Sequence, residues 1–146
     1  MVGCFALVLS LVLLPWGALG QETGFVTVDN PFQDERPIKL GEPITLRIEV
    51  AETRFLELTL TCQEELEPGK TAKCQLTLTG QRQGSSKAEI LPILLLEDEN
   101  GETLERLTPS PFKVKGNKPF EHQETLKVTG NALKAVAKIW IYLEVK

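Results

Sequence analysis

The chain has 146 residues, a formal net charge of −4, one histidine and three cysteines. An acidic balance of this size gives no support for nucleic-acid binding, and a lone histidine leaves little for a metal centre or a histidine-activated nucleophile. The cysteines point instead to a disulfide, provided the chain enters an oxidising compartment.

Such a route is suggested by the first twenty residues. Met1 to Gly20 contain no Asp, Glu, Lys or Arg, and Cys4 to Leu14 is apolar apart from Ser10. Pro15-Trp16 interrupts the run, and Ala18-Leu19-Gly20 offers the small residues of a signal-peptidase site. Residues 1–20 therefore read as a cleaved secretory signal, because about eleven apolar residues are too few for a spanning helix, which needs about 20. Residues 21–146 are the right length for one domain with a core of its own. Cys4 leaves with the signal, so the expected disulfide is Cys62–Cys74, and the expected location is secreted, extracellular or periplasmic.

Taken in order, Phe25 to Asp29 is a short strand ended by Asn30-Pro31, and the proline- and charge-rich PFQDERP reads as an irregular connection. Ile38 and Leu40 form a brief edge segment, and Gly41-Glu42-Pro43 turns the chain. In Ile44 to Val50, Ile44, Leu46, Ile48 and Val50 alternate with Thr45, Arg47 and Glu49, as in a half-buried strand. A three-residue loop, Ala51-Glu52-Thr53, would set Ile48 against Leu56, Leu46 against Leu58 and Ile44 against Leu60.

Arg54 to Gly80 is the centre of the pattern. Leu56, Leu58, Leu60 and Cys62 share one parity, Cys74, Leu76 and Leu78 share another, and Pro68-Gly69 supplies a turn between them. One register pairs Cys62 with Cys74, Leu60 with Leu76 and Leu58 with Leu78, so the apolar face and the sulfurs close together. A three-stranded meander over residues 44–79 follows, with a Thr, Glu, Gln and Arg face left wet.

Gln81 to Ser86 is a polar loop. Ala88 to Leu96 (AEILPILLL) is apolar on both parities, as in a strand buried on both faces, while Pro92 argues for an edge or a bulge. The acidic turn at Asn100-Gly101 leads into Thr103 to Leu107, whose register against residues 90–96 requires a bulge. Phe112 to Val114 is a short segment, Phe120 to Val128 an imperfect strand, and Gly130-Asn131 a turn. Ala135 to Val145 closes the chain, with Ala137, Ile139, Ile141, Leu143 and Val145 inward. Helix should be scarce, because no stretch after the signal repeats at 3.6 residues. The whole is an all-β, antiparallel β-sandwich of immunoglobulin-like pattern with seven to eight strands. Antibody-type cysteine and tryptophan spacing is absent.

No catalytic constellation accompanies this fold. His122 is the only candidate base and reads as a strand histidine with one solvated edge. Glu64, Glu65 and Glu67 at a hairpin tip read as solvated charge, and the acidic turn lacks oxygen ligands at the ends of a calcium loop. No metal site, cofactor or enzymatic activity is expected. Two features could carry recognition: the final strand's outward row, Lys138, Trp140, Tyr142 and Glu144, and the surplus apolar face of ILPILLL. The expected function is a secreted, non-enzymatic module that binds a protein or cell-surface component and spans no membrane once its signal is removed. A carrier of a small apolar ligand, extracellular or periplasmic, is the alternative. A final strand at a sheet edge would add strand pairing to its side-chain anchors.

Overall fold

The computed structural model describes residues 24–62 and 69–146. The signal expected over residues 1–20 and the hairpin tip with Glu64, Glu65 and Glu67 lie outside the described residues.

Alternation of apolar and polar residues becomes two stacked sheets. Sheet A carries β1 (Val26–Val28), β3 (Ile44–Val50), β4 (Thr53–Cys62), β5 (Thr71–Arg82) and β9 (Pro119–Thr129), in that spatial order. Sheet B runs β2 (Phe32–Pro37), β10 (Lys138–Val145), β6 (Ala88–Glu97) and β7 (Thr103–Leu107), and β8 (Phe112–Val114) pairs a different stretch of β6. A six-residue helix, α1 (Gly130–Ala135), joins β9 to β10. All pairings are antiparallel except β1 on β3. The fold is thus an antiparallel-rich β-sandwich. Its ten strands among the described residues exceed the seven to eight expected, because several edge pieces are only three to six residues long.

The central hairpin pairs as its sequence implies, with Cys62 opposite Cys74, Leu60 opposite Leu76 and Leu58 opposite Leu78. Cys62 and Cys74 are disulfide-bonded, with Cα atoms 4.2 Å apart. Toward the other end the register slips between Phe55 and Glu57. That bulge turns Phe55 fully inward and leaves Leu56 half-exposed.

The β3–β4 register differs from expectation in the same region. Ile44 faces Leu58 and Ile48 faces Phe55, rather than Leu60 and Leu56, with an irregularity between Thr45 and Ile48. Two causes are visible. The turn has two residues, Ala51 and Glu52, both at positive φ as a type I′ hairpin requires, so Thr53 already belongs to β4. Arg47 also sits at positive φ, which absorbs the extra residue in β3.

Three further expectations change. PFQDERP is no irregular connection: residues 32–37 form β2 along β10, because an edge strand needs only backbone pairing and tolerates polar side chains. Pro92 lies in an interior strand, not at an edge. Residues 94–97 pair β7 and 88–90 pair β8, so Pro92 falls at the gap between them, where no ladder is interrupted. Gly130-Asn131 opens a helix instead of a turn, capped by Thr129, whose hydroxyl accepts the Ala132 N–H at 3.3 Å. The bulge expected opposite β7 is found between Leu96 and Glu97.

Facing rows of the two sheets fill the interior. Phe55, Leu58, Leu60, Leu76 and Leu78 of sheet A meet Ile90, Leu94, Leu96, Ile139, Ile141 and Leu143 of sheet B, all at 0–1 % exposure. Two polar devices close the margins. The Asn30 side-chain amide bonds both the N–H and C=O of Val145, at 2.9 and 2.7 Å, as a strand backbone would. Arg82, buried at 6 % exposure, ties one end of the sandwich together. Its guanidinium donates to Ala51 O, Thr53 Oγ1 and Ser86 O at 2.5, 2.9 and 3.1 Å.

Candidate recognition face on sheet B

Strand β10 commits Ile139, Ile141, Leu143 and Val145 to the core, so Lys138, Trp140, Tyr142 and Glu144 point outward. Its backbone is paired on both sides, by β2 and by β6. Strand addition at β10, which an edge position would have allowed, is therefore closed off. What the strand offers is its side-chain row.

Register decides what stands beside that row. Across β6, Trp140 faces Leu95, Tyr142 faces Ile93 and Glu144 faces Leu91. Across β2, Trp140 faces Glu35 and Tyr142 faces Gln33. Arg106 of β7 flanks Leu95. Strand β6 alternates buried and half-buried residues, so Leu91, Ile93 and Leu95 share the outward side with the two aromatics. The two recognition features expected separately, the aromatic row and the surplus apolar face of ILPILLL, are thus one surface. Among the described residues, no third layer covers it.

The polar groups around this surface are partly fixed. Tyr142 donates its hydroxyl to Glu144 Oε2 at 2.9 Å, which holds the phenol above its ordinary pKa, with burial adding to the effect. Trp140 and Tyr142 have ring centroids 6.0 Å apart. Lys138 Nζ lies 3.5 Å from Glu35 Oε1. Glu97, opposite Lys138, is 7 % exposed, and its Oε1 is buried without a hydrogen-bond partner among the described residues. Burial raises its carboxyl above the ordinary carboxylate value, helped by hydrogen bonding to Glu35 and by that group's charge, and opposed by Lys138. The Oε1 atom, desolvated and without a partner beside an apolar strip, suits a cationic or amide donor from outside.

His122 stacks on Phe112 at 3.8 Å between ring centroids, and its Nε2 is buried and unpartnered. Burial lowers its pKa, against an opposing pull from Glu124. It belongs to an edge cluster with Phe112, Phe120 and Phe55 rather than to a nucleophile's relay. No group of three His, Cys, Asp or Glu side chains able to hold a metal occurs among the described residues. No described helix is long and apolar enough to cross a membrane. A cleft of about 310 Å³ is an open groove between Arg36 and Thr45, with Arg36, Lys39 and Glu42 in its lining.

Sequence reasoning named Lys138, Trp140, Tyr142 and Glu144 but not Glu35, Glu97 and Arg106, which reach the face only through long-range pairing.

No protein-family profile matches the chain, and no curated protein matches it in sequence. Solved structures with a distant likeness include the following two. A DUF1425 family member from Shewanella sp. pv-4 shares 9 % identity at a TM-score of 0.35, covering 71 % of this chain and 95 % of its own. The enzymatically active domain of bacteriophage CBA120 tailspike protein 4 shares 8 % identity at a TM-score of 0.27. That match covers 80 % of this chain but only 17 % of the tailspike chain.

Proposed function

We propose that the chain is a secreted, non-enzymatic β-sandwich module that binds a protein partner through the outer face of sheet B. One observation carries this reading: the β6–β10 register sets Trp140 and Tyr142 beside Leu95, Ile93 and Leu91 on a face that no described layer covers. Rigid aromatic anchors beside aliphatic residues, with charge at the margin, are the usual composition of an interface centre. The partner that fits presents an apolar strip and a Lys, Arg or amide donor for the Glu35–Glu97 corner.

Secretion is supported by the uncharged apolar leader and by the Cys62–Cys74 disulfide. A non-enzymatic role is supported by His122, the single histidine, being packed on Phe112. The alternative, a carrier of a small apolar ligand, needs a cavity of about 300 Å³ or more between the sheets. There the facing rows are fully buried side chains, which favours the binder.

The test begins with affinity capture from the native source to identify the partner, followed by calorimetry with the purified pair. Trp140→Ala should weaken binding by about 2 kcal/mol or more and move the melting temperature little, since the side chain is half-buried on an outer face. Thr77→Glu, on the outer face of sheet A, should bind as wild type. Unchanged affinity in both Trp140→Ala and Ile93→Glu would remove this face from consideration, and a large fall in melting temperature would make Trp140 structural.

A further inference from the structure

Lateral strands of a sandwich expose unpaired backbone groups, and most of those here are blunted. β1 has three residues, β2 six, and the β7/β8 side is broken into five and three residues by a segment with Pro109 and Pro111. β9 is different. It runs eleven residues, pairs only β5, and contains proline only at its first position.

Parity fixes which of its groups are free. Gly130 N–H bonds Lys70 O at 2.7 Å and Arg82 N–H bonds Lys118 O at 2.9 Å, so even-numbered residues of this strand turn their backbone toward β5. Thr129 N–H points the other way, to Glu105 Oε1 at 3.0 Å. Glu121, Gln123, Thr125 and Lys127 therefore direct N–H and C=O outward, and no backbone bond reaches them there among the described residues. All four side chains are exposed on the outer face of sheet A.

We infer that this edge pairs with the same edge of a second copy, antiparallel and about a two-fold axis at residue 124. In that register Glu121 meets the partner's Lys127 and Gln123 meets the partner's Thr125. The four outward residues pair only with one another, each pair exchanging two backbone bonds, roughly eight in all. On the inner side, Phe120 meets the partner's Val128 and His122 the partner's Leu126. The two Glu124 side chains flank the axis, but each is turned into its own sandwich, accepting the Ser110 N–H at 3.0 and 3.1 Å.

A second observation points the same way. Within one chain Lys127 stands directly opposite Lys73, a like-charge pair on one face. Neither lysine has an ion-pair partner among the described residues. The partner's Glu121 would supply the missing counter-charge. An isologous seam of this kind closes on two copies. It joins the two copies of sheet A into one sheet and leaves both sheet-B faces on the same side, ready for bivalent engagement.

Sedimentation of the purified chain, expressed from its full sequence, tests this over concentrations up to roughly 500 μM, as befits a small interface. Expected is a dimer that Thr125→Pro weakens at least about tenfold, since an edge proline removes an outward donor while sparing the fold. Should Thr125→Pro fold poorly, Lys127→Glu serves in its place: it weakens the dimer, and Glu121→Lys/Lys127→Glu restores it. A chain that stays monomeric throughout, or a dimer indifferent to Thr125→Pro or to Lys127→Glu, overturns the inference. So does a dimer abolished by Trp140→Ala, which would assign self-association to the sheet-B face.

Discussion

Arg82 offers the sharpest test of how one end of the sandwich is held. Replacing it by methionine keeps much of the stem's packing and removes every donor. Four acceptors then lose a charge-assisted partner: the carbonyls of Ala51 and Ser86, the more distant Ser86 Oγ at 3.4 Å, and Thr53 Oγ1, whose residue is fully buried. Hydrogen bonds to a charged group are worth about 1.5–3 kcal/mol net, so the gross loss is roughly 5 kcal/mol. Against this stands the cost of holding an ion away from water, which is recovered on substitution and amounts to several kcal/mol at full burial. At a sandwich end, water can re-enter and partly satisfy the carbonyls, so Arg82→Met should destabilise by about 2–3 kcal/mol. Urea unfolding reads this directly from Trp140, the only tryptophan after residue 20. Thr53→Val removes one acceptor, and a double-mutant cycle with Arg82→Met should give a coupling of about 1 kcal/mol. Stability within about 0.5 kcal/mol of wild type in Arg82→Met would refute the reasoning, because stem packing alone would then account for the residue.

Removing the disulfide as Cys62→Ala/Cys74→Ala should cost about 3 kcal/mol by loop closure across a sequence separation of 12, with peptide mapping of the untreated protein showing the two cysteines linked. His122 gives a pH dependence with a definite sign. Its folded pKa is lowered by burial, so it contributes stability above the unfolded value of 6.5 that is lost as pH falls through the folded value. Between pH 7 and 5 the wild type should therefore lose stability relative to His122→Phe, which keeps the ring against Phe112; parallel curves for the two would contradict the assignment.

Where side-chain pattern alone determines geometry, the sequence is a faithful guide. Leu58, Leu60 and Cys62 can meet Leu78, Leu76 and Cys74 in only one register, because a slip by one residue turns the whole row to water. Where backbone geometry intervenes, pattern fails. Nothing in Ala51-Glu52 announces two consecutive positive φ values, since neither residue is glycine, and Leu56 looks as inward as Leu58 until the bulge displaces it. β2 escapes notice for the opposite reason: its pairing to β10 is made by the backbone and asks little of Gln33, Asp34 and Glu35. α1 is shorter than two helical turns, too brief to show a period.

The candidate recognition face was half legible on the same grounds. Trp140 and Tyr142 could be placed outward from parity within one strand, but their neighbours arrive from β6, and the register between distant strands is not written in either one. What makes the face informative is the contrast between the sheets. A sandwich needs apolar residues only on its two inner faces, and its outer faces are free to be polar. Sheet A follows this, with Thr59, Thr61, Gln75, Thr77, Thr79, Gln123 and Thr125 outside. Sheet B, in the same architecture and equally uncovered among the described residues, sets Leu91, Ile93, Leu95, Trp140 and Tyr142 outside. Interior burial cannot be the reason, because Leu94, Leu96, Ile139 and Ile141 already fill the inner side of the same strands. The outward apolar row is surplus to folding, and a surplus of that composition is what an interface requires.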